Sequence, residues 1–214
     1  MESPHLTIVN APANALEIIN KAYRICYSSE EKEKPGTRED FVAGFVKIGH
    51  LSPTEHASIT FEVTNISRAC STQILRHRLA SYNERSLRYV DASKFEFIVP
   101  VSIEHNQIAL KMFNTAVRKA RDTYKKLLDM GMKKEDARAC LPLATCTRLM
   151  FTYNFREIHH FLSERLSPRA QREIRLVACQ MYTYMEDLYP WMVKDLAPRY
   201  AEAIKRNKEE EGGK

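Results

Sequence analysis

One segment of fourteen residues concentrates side chains that bind anions. Residues 76–89 hold four arginines, a histidine and a glutamate, directly after an apolar helical stretch. Arginine presents a planar fork of donors that matches a phosphate or the carbonyl-bearing edge of a ring. A basic helix end followed by a polar loop would explain part of this pattern, but ordinary loops favour Gly, Pro and Asp over Arg, Glu and Tyr. The segment therefore predicts an anion-binding site.

The elements around this segment are predicted to form a helix-rich α+β domain with a small central antiparallel sheet. Alternating apolar residues predict strands over residues 6–9 and 58–66. Apolar residues at helical spacing predict helices over residues 13–27, 37–48, 106–130 and 135–139. Residues 81–90 are expected to be irregular or extended.

Capping residues set the expected starts of three more helices. Ser67 is a favoured N-cap for a helix that leads into the arginine-rich segment. Asn154 begins a second helix, with Glu157 three residues later as the expected partner in a capping box. Ser167-Pro168 predicts a third helix over residues 169–188, because proline is favoured at the first helical position.

Composition bounds the class of protein. The chain has 214 residues and a net charge of +6, which suits one catalytic domain over residues 1–205 with anionic partners. Residues 206–214 are expected to form a charged, flexible C-terminal tail. No apolar run is long enough to span a bilayer, and no secretory signal is recognised, so a cytoplasmic protein without a membrane partner is expected.

Several kinds of site are excluded by the residues present. The chain has only six glycines and no Gly-rich nucleotide loop, so neither a Rossmann dehydrogenase nor a P-loop NTPase is expected. Its five cysteines are odd in number and include no C-x-x-C, so neither a disulfide framework nor a zinc site is predicted. His159 and His160 point about 100° apart on a helix, so no shared metal ion is expected.

The arginine-rich segment also resembles the signature of a known enzyme family. Arg76, His77 and Arg78, followed by seven residues and then Ser86, are similar to the R-H-R-x7-S pattern of flavin-dependent thymidylate synthases. Further stretches resemble motifs of that family in the same order: residues 50–56, Gln73, residues 137–142, residues 154–156, His160, Arg165 and residues 170–171. On these motifs the chain is identified as a member of that family.

The resemblance implies a reaction and a set of small molecules. Members bind FAD, take a hydride from NADPH, and transfer a methylene group from 5,10-methylenetetrahydrofolate to C5 of dUMP. They use no enzyme cysteine as a nucleophile, and they are homotetramers whose ligands lie between subunits. The chain is thus expected to be a methyltransferase that makes dTMP, with dUMP, folate and NADPH as small-molecule partners and no nucleic-acid partner.

The resemblance also implies roles for individual residues. Arg165 is implied as the catalytic cation that stabilises negative charge on the uracil ring, and so also contacts dUMP. The other implied dUMP contacts are Gln73, Ile74, Leu75, Arg76, Glu84, Arg85, Ser86, Leu87, Arg88 and Arg138. The implied FAD contacts are Ser52, Arg76, His77, Arg78, Glu84, Asn154, Phe155, Arg156 and His160. His50 and Tyr89 are implied as neighbours of the folate or flavin pocket.

Two other interpretations stay open from the sequence. Arginine-rich stretches and a positive charge also suit a nucleic-acid-binding module, although no clear aromatic stacking platform is present. The second is an inactive flavin-binding relative, against which the retained arginines of the dUMP set argue. The chain departs from the family pattern at Leu87, where some members have glycine, and at Arg169 and Arg172, where less charge is expected.

Overall fold

The sheet at the centre of the fold has four strands, each antiparallel to its neighbours. The structure is a computed structural model and describes residues 3–212. The strands are β1 (His5–Asn10), β2 (Ser58–Ser67), β3 (Ala80–Glu84) and β4 (Cys146–Asn154), and they lie in the order β1-β2-β4-β3. Phe61 of β2 and Tyr82 of β3 both pair with Phe151 of β4. β4 therefore joins segments that are far apart in sequence.

The helices of the described residues pack against this sheet and against one another. They are α1 (Ala15–Cys26), α2 (Arg38–Lys47), α3 (Arg68–Ile74), α4 (Val101–Glu104), α5 (Gln107–Asp129), α6 (Lys134–Ala137), α7 (Phe155–Arg165), α8 (Arg172–Leu188), α9 (Pro190–Val193) and α10 (Ala197–Glu211). The main core joins α1, α2, α7, α8 and α9 to the sheet through buried aromatic and aliphatic side chains. The predicted helix-rich α+β fold with a small antiparallel sheet is confirmed.

A smaller core lies beside α5. It contains Leu87, Ala92, Tyr124 and Ala137. Tyr124 is the only buried residue of α5, although that helix has 23 residues. This second core fixes the loop after β3, which carries part of the arginine-rich segment.

The capping predictions are confirmed in part. Ser67 Oγ accepts a hydrogen bond from the Cys70 amide at 3.0 Å, and Asn154 Oδ1 accepts one from the Glu157 amide at 2.8 Å. Each such cap is worth about 1 kcal/mol. The capping box is wrong in its second half, because the Glu157 carboxylate bonds to His77 instead of returning to Asn154.

Two elements differ from what the sequence predicts. β4 is not predicted from the sequence, although Thr147, Leu149, Phe151 and Tyr153 alternate and are buried. The helix predicted to begin after Ser167-Pro168 begins only at Arg172, because residues 167–171 form a loop.

The charged tail expected from residue 206 is helical as far as Glu211. Arg206 Nε lies 2.9 Å from Glu210 within this helix, and the flexibility expected of this tail stays a prediction. Residues 213 and 214 lie outside the described residues. All five cysteines are free, and within residues 3–212 no helix is both long and apolar enough to cross a bilayer.

Candidate active site

A cleft lies between the start of α7 and the turn that follows α3. Its volume is about 470 Å³, and we call it the arginine cleft. Five residues of the implied FAD set line it together: Arg76, His77, Arg78, Arg156 and His160. Arg156 and His160 are four residues apart on α7 and share one helix face. The cleft is rich in cations and suits an anionic ligand.

Two arginines of the arginine cleft lack an internal partner. Arg76 and Arg78 are exposed, and neither side chain makes a hydrogen bond or ion pair with any residue in the range 3–212. Arg156 differs, because its Nη1 lies 2.5 Å from Glu55 Oε1. Unpaired guanidinium groups on a concave surface fit the phosphates of a dinucleotide such as FAD.

His77 links a buried carboxyl group to a cation. Only 4% of His77 and 3% of Glu157 are exposed. His77 Nδ1 lies 2.8 Å from Glu157 Oε1, and Arg165 Nε donates to His77 Nε2 across 3.1 Å. Since Arg165 Nε–H can only donate, Nε2 is the acceptor, and Nδ1 carries the proton that is donated to Glu157.

This hydrogen-bonding pattern requires a neutral imidazole. Burial, together with the neighbouring Arg165 and His160, lowers the pKa of His77 to about 4. Burial raises the pKa of Glu157. The contact between His77 and Glu157 is therefore a hydrogen bond of a neutral ring and not an ion pair of a charged one.

Arg165 is the last residue of α7 and faces a second cleft. This loop cleft, of about 510 Å³, is lined by Arg165 together with Ser163, Arg169 and Arg199. The Nε of Arg165 is bound by His77, whereas its two Nη groups have no hydrogen-bond partner in the described part of the chain. One edge of this guanidinium is thus fixed and the other is free. Arg165 and Arg156 line different clefts, as their spacing on α7 suggests.

A buried arginine braces the loop between α7 and α8. Arg175 is 1% exposed, and its Nη1 donates to the carbonyls of Pro168 at 3.1 Å and Ala170 at 2.6 Å. Its Nε donates to Asn207 Oδ1 at 2.8 Å, and its Nη2 lies 2.5 Å from Glu210 Oε2. α10 therefore supplies two of the groups that hold this arginine beside the loop cleft.

α3 is tied to the α8 region at both of its ends. At its start, the amide and hydroxyl of Ser67 donate to the Glu173 carboxylate at 2.5 and 2.6 Å. Burial raises the pKa of Glu173. At its end, the Gln73 side chain donates to the Gln171 side chain. These ties set the position of the turn after α3 relative to the loop that follows Arg165.

The other residues of the implied dUMP set lie at the opposite end of α3. We call them the Arg138 group: Glu84, Arg85, Ser86, Leu87, Arg88 and Arg138. Arg88 Nε lies 2.5 Å from Glu135 Oε2, and Arg138 Nε donates to the Glu135 carbonyl at 3.0 Å. Arg68, the first residue of α3, lies 3.2 Å from Glu84. α3 is about 10 Å long, and no hydrogen bond or ion pair among residues 3–212 joins this group to Arg76 or Arg165.

Several residues that are implied to contact a ligand have side chains that contact other parts of the protein. Arg85 donates to the Cys146 carbonyl at 2.5 Å and lies over the Phe95 ring at 3.9 Å. Leu87 is buried in the smaller core, and Ile74 in the main core. Phe155 is also in the main core, and its amide donates to the Ala57 carbonyl. The side chain and the amide of Phe155 are thus both engaged inside the protein, and its implied FAD contact stays a prediction.

The remaining implied contacts are not among the residues that line the arginine cleft. Ser52 and Leu75 are exposed, and Tyr89 is 71% exposed. His50 is half-buried, with its Nδ1 3.0 Å from the Tyr27 hydroxyl. Ser86 Oγ accepts from the Arg88 amide, and Asn154 caps α7. The structure thus gathers three arginines and two histidines of the FAD set in the lining of one cleft, which does not include the other members.

One set of side chains could hold a metal ion by composition. The ligand atoms of His77, Glu157 and His160 lie within 4.8 Å of one another. Both ring nitrogens of His77 are already engaged, one with Glu157 and one with Arg165. A metal would displace one of these bonds beside a cation, so the geometry favours the hydrogen-bonded chain. His159 instead binds Asp195 at 3.0 Å, and does not share a partner with His160.

Three charged residues that shape the site are not assigned by the motifs: Glu157, Glu173 and Arg175. Each lies three or four residues before a buried apolar residue on the same helix face, respectively Phe161, Val177 and Ala178. A charge on the core-facing side of an amphipathic helix indicates a buried partner. That signal marks these residues but does not identify their partners.

Comparisons with known proteins agree with the fold and the motifs. A family described as "Thymidylate synthase complementing protein" matches residues 7–191. The chain is 38% identical to a flavin-dependent thymidylate synthase of Geobacter sulfurreducens over 185 residues, covering 83% of this chain and 80% of the relative. It is 35% identical over 198 residues to one of Pyrococcus furiosus, covering 86% and 81%.

A solved structure is similar as well. A UMP/dUMP methylase, PolB, from Streptomyces cacaoi, bound with 5-Br dUMP, superposes with a TM-score of 0.77 at 29% identity. The match covers 92% of this chain and 96% of that one. The fold and site define an enzyme of the methyltransferase class. The chain belongs to the family of flavin-dependent thymidylate synthases.

Proposed function

We propose that the chain converts dUMP to dTMP, with 5,10-methylenetetrahydrofolate as the carbon donor and NADPH as the hydride source through FAD. In the overall change, C5 of the uracil gains the methylene carbon and loses its proton, and one hydride completes the methyl group. Family membership supports this reaction, and so does the 5-Br dUMP bound to the similar methylase of Streptomyces cacaoi.

Arg165 carries this proposal. Its guanidinium is held by His77 at Nε and presents two unpaired Nη groups at the loop cleft. When C5 acts as a nucleophile, negative charge develops on the ring carbonyls, and a fixed cation beside them lowers the barrier. Arginine stays protonated, so Arg165 acts through its charge and its donors and not as a proton source.

The arginine cleft is the proposed FAD site. Arg76, Arg78 and Arg156 would bind the anionic part of FAD, with His160 on the same helix face as Arg156. When bound, FAD supplies the hydride that originates from NADPH. The residues of this cleft bind and orient the cofactor, while His77 connects its wall to Arg165.

No thiolate is proposed to attack the uracil. The pKa values of Cys70, Cys146 and Cys179 are all raised by burial, that of Cys179 to about 11. A thiol nucleophile requires the opposite shift. This pattern agrees with a reaction in which polarisation by Arg165 replaces covalent activation.

A second copy of the chain is proposed to complete the dUMP site. The implied dUMP contacts fall into two sets, with Gln73, Arg76 and Arg165 on one side and Arg88 and Arg138 on the other, near opposite ends of α3. Two such sets meet around one nucleotide when one copy presents the first and a neighbour the second. A homotetramer with shared sites fits this separation.

The decisive test is dTMP formation from dUMP, methylenetetrahydrofolate and NADPH by the FAD-loaded protein. Arg165→Ala should lower kcat by about 10²-fold or more, with FAD content unchanged. Arg118→Ala, an exposed arginine of α5 outside both clefts, serves as the matched control and should keep wild-type rates. Near-normal turnover by Arg165→Ala would overturn its catalytic role, and absence of dTMP with the wild type would overturn the function.

A further inference from the structure

We propose that Glu157 is a positioning residue that aims Arg165 through the proton of His77. Glu157 accepts from Nδ1–H, which leaves Nε2 of the same ring as the acceptor for Arg165 Nε–H. The orientation of the guanidinium thus depends on a carboxyl group that it does not touch. The effect of Glu157 on kcat rests on the proposed function, whereas the position of the proton on His77 does not.

Packing fixes the ring of His77 but cannot fix its proton. The His77 ring lies 4.9 Å from the Phe161 ring and 6.2 Å from the Tyr153 ring. The His77 carbonyl accepts a hydrogen bond from the Tyr82 hydroxyl. A neutral imidazole still has two tautomers in the same position, so a neighbouring group must choose between them.

Only one tautomer satisfies both contacts of His77. With the proton on Nδ1, Glu157 and Arg165 are both paired. With the proton on Nε2, two donors would face each other at 3.1 Å, and the bare Nδ1 would face a carboxyl oxygen at 2.8 Å. Both mismatches would be buried, where unpaired polar groups are most costly.

Glu157 is itself held rigidly enough to make this choice. Its amide donates to Asn154 Oδ1 at 2.8 Å, so it lies in the first turn of α7, and 3% of it is exposed. The charged and titratable groups that influence the pair are Arg165 and His160 for the ring, and His160 and Arg156 for the carboxyl group. The N-cap of α7, the tautomer of His77 and the aim of Arg165 form one connected arrangement.

The test begins with the proton itself. Nitrogen-15 spectra of the full-length, histidine-labelled protein at pH 7 should show His77 as the Nδ1–H tautomer. Glu157→Leu, which cannot accept a hydrogen bond, should weaken this preference, because only Arg165 then selects the tautomer, and Glu157→Gln should keep it through its amide oxygen. Arg165→Ala should also keep it, because Glu157 still accepts. An Nε2–H tautomer in the wild type would overturn the proposal without any measurement of activity.

Kinetics then separate positioning from a structural role. Glu157→Leu should lower kcat by about tenfold to a hundredfold with FAD content unchanged, as expected for a misplaced cation. Glu157→Gln should stay within about threefold of the wild type, since the acceptor geometry is kept. Equal losses in both variants, or no loss in Glu157→Leu, would each overturn the positioning role.

Two further variants distinguish a positioning role of Glu157 from a general loss of folding. Glu186→Leu removes a different helical carboxylate, one that accepts from the Tyr182 hydroxyl at 3.2 Å outside both clefts, and should leave kcat unchanged. Glu157→Asp keeps the charge but withdraws the oxygens by one methylene group. If Glu157→Leu does not fold, Glu157→Asp should show the reduced kcat and the weakened tautomer preference together, and an unchanged kcat would count against the proposal.

Discussion

Arg175 in α8 is paired with Glu210 in α10 across 2.5 Å, and the same guanidinium donates to the carbonyls of Pro168 and Ala170. α10, the last helix of the described residues, therefore acts on the loop that lines the cleft beside Arg165. A residue near the end of the chain is in this way connected to the proposed uracil site without approaching it.

Removing Glu210 should destabilise the protein and disturb the loop. Glu210→Ala leaves the buried Arg175 guanidinium with an unpaired Nη2. Because Glu210 itself is partly exposed, we expect the free energy of unfolding to fall by roughly 2–3 kcal/mol, somewhat less than for a fully buried pair. Glu211→Ala is the matched control, because the Glu211 carboxylate that pairs with Arg172 is exposed. Its loss should lower the free energy of unfolding by less than about 1 kcal/mol. Urea unfolding of both variants measures these changes. Equal losses of unfolding free energy would show that Glu210 does not hold the loop through Arg175.

The arginine cleft should lose flavin when one of its unpaired arginines is removed. Arg78→Ala deletes a guanidinium that has no partner within residues 3–212, so no internal contact is broken. We expect FAD affinity to fall by about tenfold or more, the value of one charge-assisted hydrogen bond, with an unchanged melting temperature. Titration of the apoprotein by flavin fluorescence measures this. Unaltered affinity would show that FAD does not use this cleft.

Mixed oligomers should reveal whether the dUMP site is shared. Arg165→Ala and Arg138→Ala should each be nearly inactive alone. If each site takes Arg165 from one copy and Arg138 from another, random co-assembly should give about one site in four with both arginines intact. Activity in the co-expressed mixture supports a shared site. A mixture no more active than its parents would place both residues in one copy.

The stability of the protein should fall in weak acid because of His77. Its folded pKa is lowered to about 4 from an ordinary 6.5, so the ring binds a proton more readily when unfolded. A base of this kind stabilises the fold above its unfolded pKa, and the stabilisation is lost as the pH falls. Between about pH 6.5 and 4 the loss should reach roughly 3 kcal/mol.

Comparing variants isolates this contribution from other groups. Glu157 and Glu173 have raised pKa values, so protonation in the same range favours their folded forms and opposes the effect of His77. Arg165→Ala removes the donor that faces Nε2, so the pKa of His77 should rise and the acid-induced loss should shrink. Unfolding curves at several pH values measure both. An identical pH dependence in the two proteins would contradict the assignment.

Local patterns predict much of the fold for simple physical reasons. β2 alternates cleanly because one of its faces is buried, and the caps at Ser67 and Asn154 need only a nearby amide. β4 alternates in the same way, but polar Thr147 lies on its buried face and apolar Met150 on its exposed face, and this obscures the pattern in the sequence. The start of α8 is mispredicted because Ser167-Pro168 is a good local start, whereas Arg175 holds that segment as a loop.

The site is predictable only as far as its motifs reach. The arginine-histidine motif indicates residues that line the arginine cleft together. The same motif cannot show that His77 is buried between Glu157 and Arg165, because those partners lie 80 and 88 residues away. Arg85 belongs to the same motif, but its guanidinium donates to the Cys146 carbonyl and lies over the Phe95 ring. Sequence spacing indicates which side chains are available, and long-range packing decides which of them are free.

The order of the strands has a consequence for how the molecule folds. β3 pairs only with β4, although residues 85–145 separate them, and β2 also depends on β4 along its inner edge. A nascent chain that ends before β4 can pair β1 with β2 but leaves β3 without a partner. The entropy cost of closing the long loop between β3 and β4 must be met before the hydrogen bonds of this pair can stabilise the fold. Both proposed ligand clefts depend on α7, which follows β4 directly, so the active site is expected to be among the last parts of the protein to form.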